Sequence, residues 1–141
     1  MKLIIYTDGA SRGNPGPAAY GFTIQDENGK LLYEEGKYIG VTTNNVAEYT
    51  AVLEVLKHVT KHAREKFAQE KLQVELYADS KLVAEQLSGR YKIKAKHLKP
   101  IIEQIQKLAI EVGGIIFSHV PRSQNTQADR LANQALDNKL R

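Results

Sequence analysis

The spacing of the apolar residues changes in kind along the chain, and the order of those changes leaves few folds open. Lys2–Thr7 is short, apolar and rich in β-branched residues, and it stops at a glycine-rich stretch, the pattern of a buried strand. Ala18–Gln25 and Lys30–Ile39 flank Asp26-Glu-Asn-Gly29, whose Asn-Gly pair predicts a hairpin. From Asn44 into the late sixties the repeat is helical, with Glu48, Val52, Val55 and Val59 on one stripe. Leu72, Val74, Leu76 and Ala78 then alternate with Gln73, Glu75, Tyr77 and Asp79, which is strand periodicity. Ser80–Leu87 predicts a short helix ending near Gly89, and a further helix begins near Pro100 and stops at Gly113-Gly114. Ile115–Val120 is a last strand. Thr126–Leu140 is a last helix, with Ala128, Leu131, Ala132, Ala135 and Leu136 on its apolar stripe. The order β-β-β-α-β-α-α-β-α is a meander followed by α/β alternation, which predicts an α/β fold with a mixed sheet flanked by helices.

The length of 141 residues fits one domain, 1–141, with a proper core. Hydrophobic residues at 42% and charged residues at 26% are the balance of a soluble globular protein. Cysteine is absent, so disulfides and thiolate metal sites are excluded. The apolar run before Asp8 is too short for a signal peptide, and no later stretch could span a bilayer, so a cytoplasmic protein without membrane contact is expected. The net charge of +4 favours a polyanionic partner.

Four acids stand at the junctions of these elements. Asp8 ends the first strand and opens the turn Asp8-Gly-Ala-Ser-Arg-Gly-Asn-Pro-Gly-Pro17; Glu48 lies just inside the first long helix; Asp79 ends an alternating strand; Asp129 lies in the first turn of the last helix. Each has a simpler reading: a turn pair at Asp8-Gly9, a first-turn acid at Glu48, a helix cap at Asp79, and an acid three residues into a helix capped by Thr126. If they converge, they repel one another and their pKa values rise, a cost that bound cations relieve. Hard divalent cations take such oxygen ligands. Two ions about 4 Å apart would both neutralise the cluster and serve in-line phosphodiester hydrolysis.

The segments Thr7-Asp-Gly-Ala-Ser-Arg-Gly-Asn-Pro-Gly-Pro17, Thr42-Thr-Asn-Asn-Val-Ala-Glu48, Ala78-Asp-Ser80 and His119…Asn125…Ala128-Asp129 resemble, in order, the four signature blocks of type 1 ribonuclease H. The resemblance covers essentially the whole chain. It implies a five-stranded mixed sheet with the strands ending in Asp8 and Asp79 adjacent at its centre. It implies a monomeric endonuclease that hydrolyses the RNA strand of RNA–DNA hybrids, leaving 5′-phosphate and 3′-hydroxyl ends. Asp8, Glu48, Asp79 and Asp129 would hold two Mg²⁺ ions, with Mn²⁺ as a substitute. Asp8 would bridge both ions, Glu48 and Asp79 would complete one shell, and Asp129 the other. His119 matches the family's mobile histidine, whose role is in proton transfer and product departure; a plain surface histidine is the alternative. Asn125 reads as a polar group beside the ligands or as a loop residue.

A hybrid nuclease must detect the 2′-hydroxyl. The expected turn Ala10–Asn14 lets backbone approach it closely, through Ser11, Arg12, Gly13 and Asn14. By resemblance, Asn14, Thr43 and Asn44 would help hold a DNA-strand phosphate, with Asn45, Lys81 and Tyr91 completing the substrate contacts. Helix capping is the competing role for Asn44 and Asn45. Arg90-Tyr-Lys-Ile-Lys-Ala-Lys-His-Leu-Lys99 either binds backbone phosphate with Tyr91 stacking, or is a solvated basic loop. Many bacterial relatives carry a longer, tryptophan-bearing basic protrusion there; this chain has no tryptophan. The polar stretch Lys61–Lys71 reads as an extended helix and loop. Two rivals remain: an inactive hybrid or double-stranded RNA binder, and a DNA-cutting nuclease of the same superfold.

Overall fold

The structure is a computed structural model that describes residues 1–66, 72–92 and 95–141. The strands are β1 (Lys2–Ser11), β2 (Gly16–Asp26), β3 (Leu31–Thr42), β4 (Gln73–Ala78) and β5 (Ile115–His119). The helices are α1 (Asn44–Lys66), α2 (Lys81–Leu87), α3 (Lys99–Val112) and α4 (Thr126–Leu140), with short 3₁₀ turns at Lys96–Leu98 and Arg122–Gln124. The expected element order holds. Of the stretch 61–71, α1 takes residues to Lys66, and 67–71 lie outside the described residues, as do Ile93 and Lys94 of the basic loop.

The sheet runs β3-β2-β1-β4-β5. The first three strands pair antiparallel through short connections, whereas β1–β4 and β4–β5 pair parallel across helical crossovers, as parallel pairing requires. β1 and β4 are therefore neighbours, with β1 at the centre.

One expectation is corrected. Asp8 does not end β1 and residues 10 and 11 are not in a turn, because Gly9, Ala10 and Ser11 continue the ladder against Tyr20, Ala19 and Ala18. Gly9-Ala10 carries no β-branched signal, so only the partner strand extends it. The turn proper follows, with Gly13 at φ 97, a conformation that suits glycine, and a cis Asn14–Pro15 peptide. β4, by contrast, stops pairing at Thr7↔Ala78. Beyond that point β1 has a neighbour on one side only, and a cleft opens where Asp8 and Asp79 emerge.

The two sheet faces carry different helices. Ile5, Phe22, Ile24, Val74 and Leu76 pack with Val52, Val55, Leu56 and Val59 of α1 and Ile102 and Ile105 of α3 in the main core. The Glu48 stripe thus faces inward as its spacing predicts. On the other face α4 lays down Ala128, Ala132 and Leu136, all fully buried. Small residues there let the backbones touch: a Cβ on Gly21 would lie 2.3 Å from the Ala128 carbonyl oxygen, and one on Gly36 2.4 Å from that of Leu131.

Backbone cannot yield as a flexible side chain can, so Gly21→Ala should destabilise the fold by about 2 kcal/mol or more, the scale of overpacking a tight interface. Gly29→Ala, with φ 84 and nothing within 4 Å, should cost only the left-handed backbone penalty of about 1 kcal/mol. Urea denaturation measures both, and equal losses would refute the steric account.

Candidate active site

Asp8 lies in the middle of β1 and is 4% exposed, with its Oδ1 accepting the Gly9 N–H at 2.9 Å. Asp79 follows β4 directly. Ser80, not Asp79, caps α2, its hydroxyl accepting the Val83 N–H at 3.3 Å. The cap role predicted as one reading of Asp79 is therefore taken by its neighbour, and the Asp79 carboxylate is left for the cleft. Glu48 is not in the first turn of α1, which holds no acid; Thr43 caps that helix by accepting the Val46 N–H at 3.2 Å. Gly9 explains how Glu48 reaches the sheet: a Cβ there would sit 2.4 Å from the Glu48 backbone nitrogen.

Oxygens of Asp8, Glu48 and Asp79 lie within 4.8 Å of one another, a group able to hold a metal ion. Glu48 Oε2 is buried and has no hydrogen-bond partner, a costly state for a carboxylate unless a cation meets it. Burial, then the Asp79 charge, then the Asp129 carboxyl push Asp8 up from 3.8 to about 8. Burial, then Asp8 and Asp79, raise Glu48 well above its ordinary value. The donor set is all oxygen and anionic, which fits a hard divalent cation.

Asp129 reaches Asp8 from the α4 face. Its helix is preceded by Asn125, not Thr126, as the N-terminal boundary residue, which corrects the capping alternative. Asn133 Nδ2 donates to the Asp129 Oδ1 at 3.2 Å. Asn125 is 1% exposed, and its Nδ2 donates to the Thr7 carbonyl at 2.8 Å and to Asp79 Oδ2 at 3.3 Å. It is more than a loop residue: it ties Asp79 to β1. His119 is exposed at the end of β5, in register with Ala78, the residue before Asp79.

Several residues expected at the substrate are engaged within the protein. Arg12 Nη2 donates to Asp137 at 2.8 Å and to Asn133 at 3.3 Å. Asn14 Oδ1 accepts the Asn44 N–H at 3.0 Å, and the Ser11 hydroxyl donates to the Gly13 carbonyl at 2.6 Å and meets the Asn44 side chain. Lys81 is exposed at the start of α2. Asn45 and Tyr91 line a groove of about 550 Å³ with Leu82, Gln86, Arg90 and Lys92. No helix among the described residues is long and apolar enough to cross a membrane.

Comparison with known proteins fits this geometry. Residues 6–135 match the family described as reverse transcriptase-like. The chain is 44% identical over 138 residues to a bifunctional protein of Mycobacterium tuberculosis, covering 97% of this chain and 36% of that protein. It is 40% identical over 136 residues to ribonuclease HI of Halobacterium salinarum, covering 96% of this chain and 65% of that one. The chain thus spans about a third of the mycobacterial relative and somewhat under two thirds of the halobacterial one. The crystal structure of LC11-RNase H1 in complex with an RNA/DNA hybrid superposes with a TM-score of 0.91 at 42% identity, over 99% of both chains. Sheet order and comparisons together define a protein of the ribonuclease H-like class. Within that class, the chain belongs to the type 1 ribonuclease H family.

The raised carboxyls have a measurable consequence. Folding raises the Asp8 carboxyl from 3.8 to about 8, chiefly through burial, so between those values the folded chain holds more protons than the unfolded one. Stability must then fall as pH rises through that window. Metal-free Tm should drop from about pH 4 to about pH 8, less steeply in Asp8→Asn, and Mn²⁺ should restore it at the upper end. A flat metal-free profile would contradict the burial of these charges.

Proposed function

We propose that this chain is an endonuclease, dependent on a divalent cation, that hydrolyses the RNA strand of RNA–DNA hybrids to 5′-phosphate and 3′-hydroxyl ends. The observation that carries the reading is the convergence of Asp8, Glu48 and Asp79 oxygens within 4.8 Å around the unpartnered Glu48 Oε2. The hybrid held by LC11-RNase H1, a relative alike over 99% of both chains, supports the substrate class.

In this reading Asp8, Glu48, Asp79 and Asp129 hold two Mg²⁺ or Mn²⁺ ions. Such ions supply a Lewis acid for the phosphodiester and a nucleophile available at neutral pH. Asp8 would hold metal from the central strand, and Asn125 holds Asp79 in orientation through its 3.3 Å hydrogen bond. His119, exposed at the end of β5, transfers a proton at the leaving group. Backbone of Gly13 and Asn14 and the amides of Asn44 and Asn45 meet the minor groove, where the 2′-hydroxyl separates RNA from DNA. Tyr91, Arg90 and Lys92 line the groove for the other strand's backbone. The chain acts as a single domain and as a monomer, in the cytoplasm.

The test is cleavage of matched, end-labelled RNA–DNA hybrid, double-stranded RNA and double-stranded DNA with Mg²⁺, Mn²⁺ or EDTA. Metal-dependent cutting of the hybrid's RNA alone is expected. Asp79→Asn should abolish it while circular dichroism and hybrid binding stay near wild type. Binding without cutting under any metal would make the chain an inactive hybrid binder. Cutting of duplex DNA would place it with the DNA nucleases of this fold.

His119→Ala should slow turnover by about a hundredfold, the lower range for loss of a proton-transfer group, with Mn²⁺ affinity retained. Single-turnover and steady-state rates distinguish chemistry from product departure, and unchanged turnover would leave His119 a surface residue.

A further inference from the structure

The turn between β1 and β2 touches both helices that carry carboxylates to Asp8. On one side, Asn14 of the turn, with Ser11 at the end of β1 beside it, meets Asn44 at the start of α1. On the other, Arg12 Nη2 donates to Asn133 Oδ1 at 3.3 Å and to Asp137 Oδ1 at 2.8 Å, both on α4. Asn133 passes the contact inward. Its Nδ2 donates to the Asp129 carbonyl at 3.0 Å and to the Asp129 carboxylate at 3.2 Å.

The geometry is directional. Asn133 lies four residues after Asp129, so the two share a helix face. An amide offers acceptors only at its oxygen and donors only at its nitrogen. With Arg12 on the oxygen, the NH₂ group is the end turned to Asp129, and it donates to the carboxylate. The Arg12–Asp137 ion pair is exposed on both sides, 43% and 55%, so by itself it adds little stability. What it does is hold the guanidinium along α4, in line with Asn133.

Building on the hybrid-cleavage reading, we propose that Arg12 and Asn133 are positioning residues for Asp129. In this arrangement the β1–β2 turn is a yoke that sets the spread of α1 and α4 about Asp8. Arg12 serves α4, and is not the substrate contact its place in the glycine-rich turn suggests.

The test compares Arg12→Ala, Asn133→Ala and the double variant in calorimetric Mn²⁺ titration and in steady-state hybrid cleavage. Loss of a residue that orients a metal ligand costs about tenfold or more in metal affinity or activity. Asn133→Ala is therefore expected to lose at least that much in Mn²⁺ affinity and in kcat, with KM unchanged. Arg12→Ala should move the same two quantities in the same direction, by less, and the double variant should be no worse than Asn133→Ala. The salt dependence of hybrid binding should not change. If instead Arg12→Ala raises KM and lowers the salt slope by about one phosphate contact, while Asn133→Ala behaves as wild type, Arg12 is a substrate ligand and the proposal fails. It fails equally if all three variants match wild type. Should Asn133→Ala not fold by circular dichroism, Arg12→Gln, a change at an exposed side chain, carries the same comparison. If the wild-type chain leaves the hybrid uncut, the cleavage reading fails on its own, and the Mn²⁺ affinities still decide the positioning role.

Discussion

Everything at the acidic cluster depends on how near two helices come to one strand. Asp and Glu side chains are short, so Glu48 and Asp129 reach Asp8 only if the backbones that carry them nearly touch the sheet. Gly9 admits α1 on one face, where a Cβ would meet the backbone of Ala47 and Glu48 at 2.4 Å. Gly21, paired with Asp8 across the ladder, admits α4 on the other. Neighbouring strand residues point to opposite faces, so Asp8 and Gly9 divide the work: one presents its carboxylate toward α4, the other makes room for α1. A single methyl at either glycine would push a carboxylate away from the cluster as surely as deleting it.

The cluster is electrostatically unfavourable, and the rest of the fold absorbs that. The core around Ile5, Leu76, Val52, Val55 and Ile102 lies on the α1 side of the sheet and is wholly apolar at its centre. The carboxylates sit at its rim, where β4 has stopped pairing and β1 continues alone. Placing the charges at the end of the parallel strands gives them an opening to solvent and cations while the sheet behind them stays dry. Crevices at the carboxyl ends of parallel strands are a general place for ligands in open α/β sheets. The antiparallel hairpin beside it supplies the rigidity, since β1 remains paired with β2 through Ser11 after β4 has left.

Much of this was readable from the residues, for identifiable reasons. Strand and helix order followed from periodicity and from strong punctuation at Asn28-Gly29, Ser80 and Gly113, the last a left-handed helix cap. The four acids were legible from their signature segments, although only Asp79 and Asp129 stand at element boundaries in the fold, with Asp8 inside β1 and Glu48 beyond the first turn of α1. The overhang of β1 was not, because Gly9-Ala10 looks like a turn until β2 is laid beside it. The roles of Gly21 and Gly36 were hidden too, since what they accommodate is α4, far along the chain. The contacts of Arg12 were hidden for the same reason: its partners Asn133 and Asp137 lie 121 and 125 residues away. Asn125 was seen but undervalued, since its bond to Thr7 spans 118 residues. Local pattern reports local structure; long-range contacts made by small or polar side chains leave no periodic trace.

That long span also divides the cluster along the chain. β1, β2 and α1 precede β4 in the chain, and β4 completes the central pair beside which Asp8, Glu48 and Asp79 meet. α4 comes later, and only its docking onto Gly21 and Gly36 brings in Asp129 and closes the far face. Asp129 thus joins Asp8 only through the packing of α4 on Gly21 and Gly36, so the completeness of the cluster is tied to the closure of that sheet face.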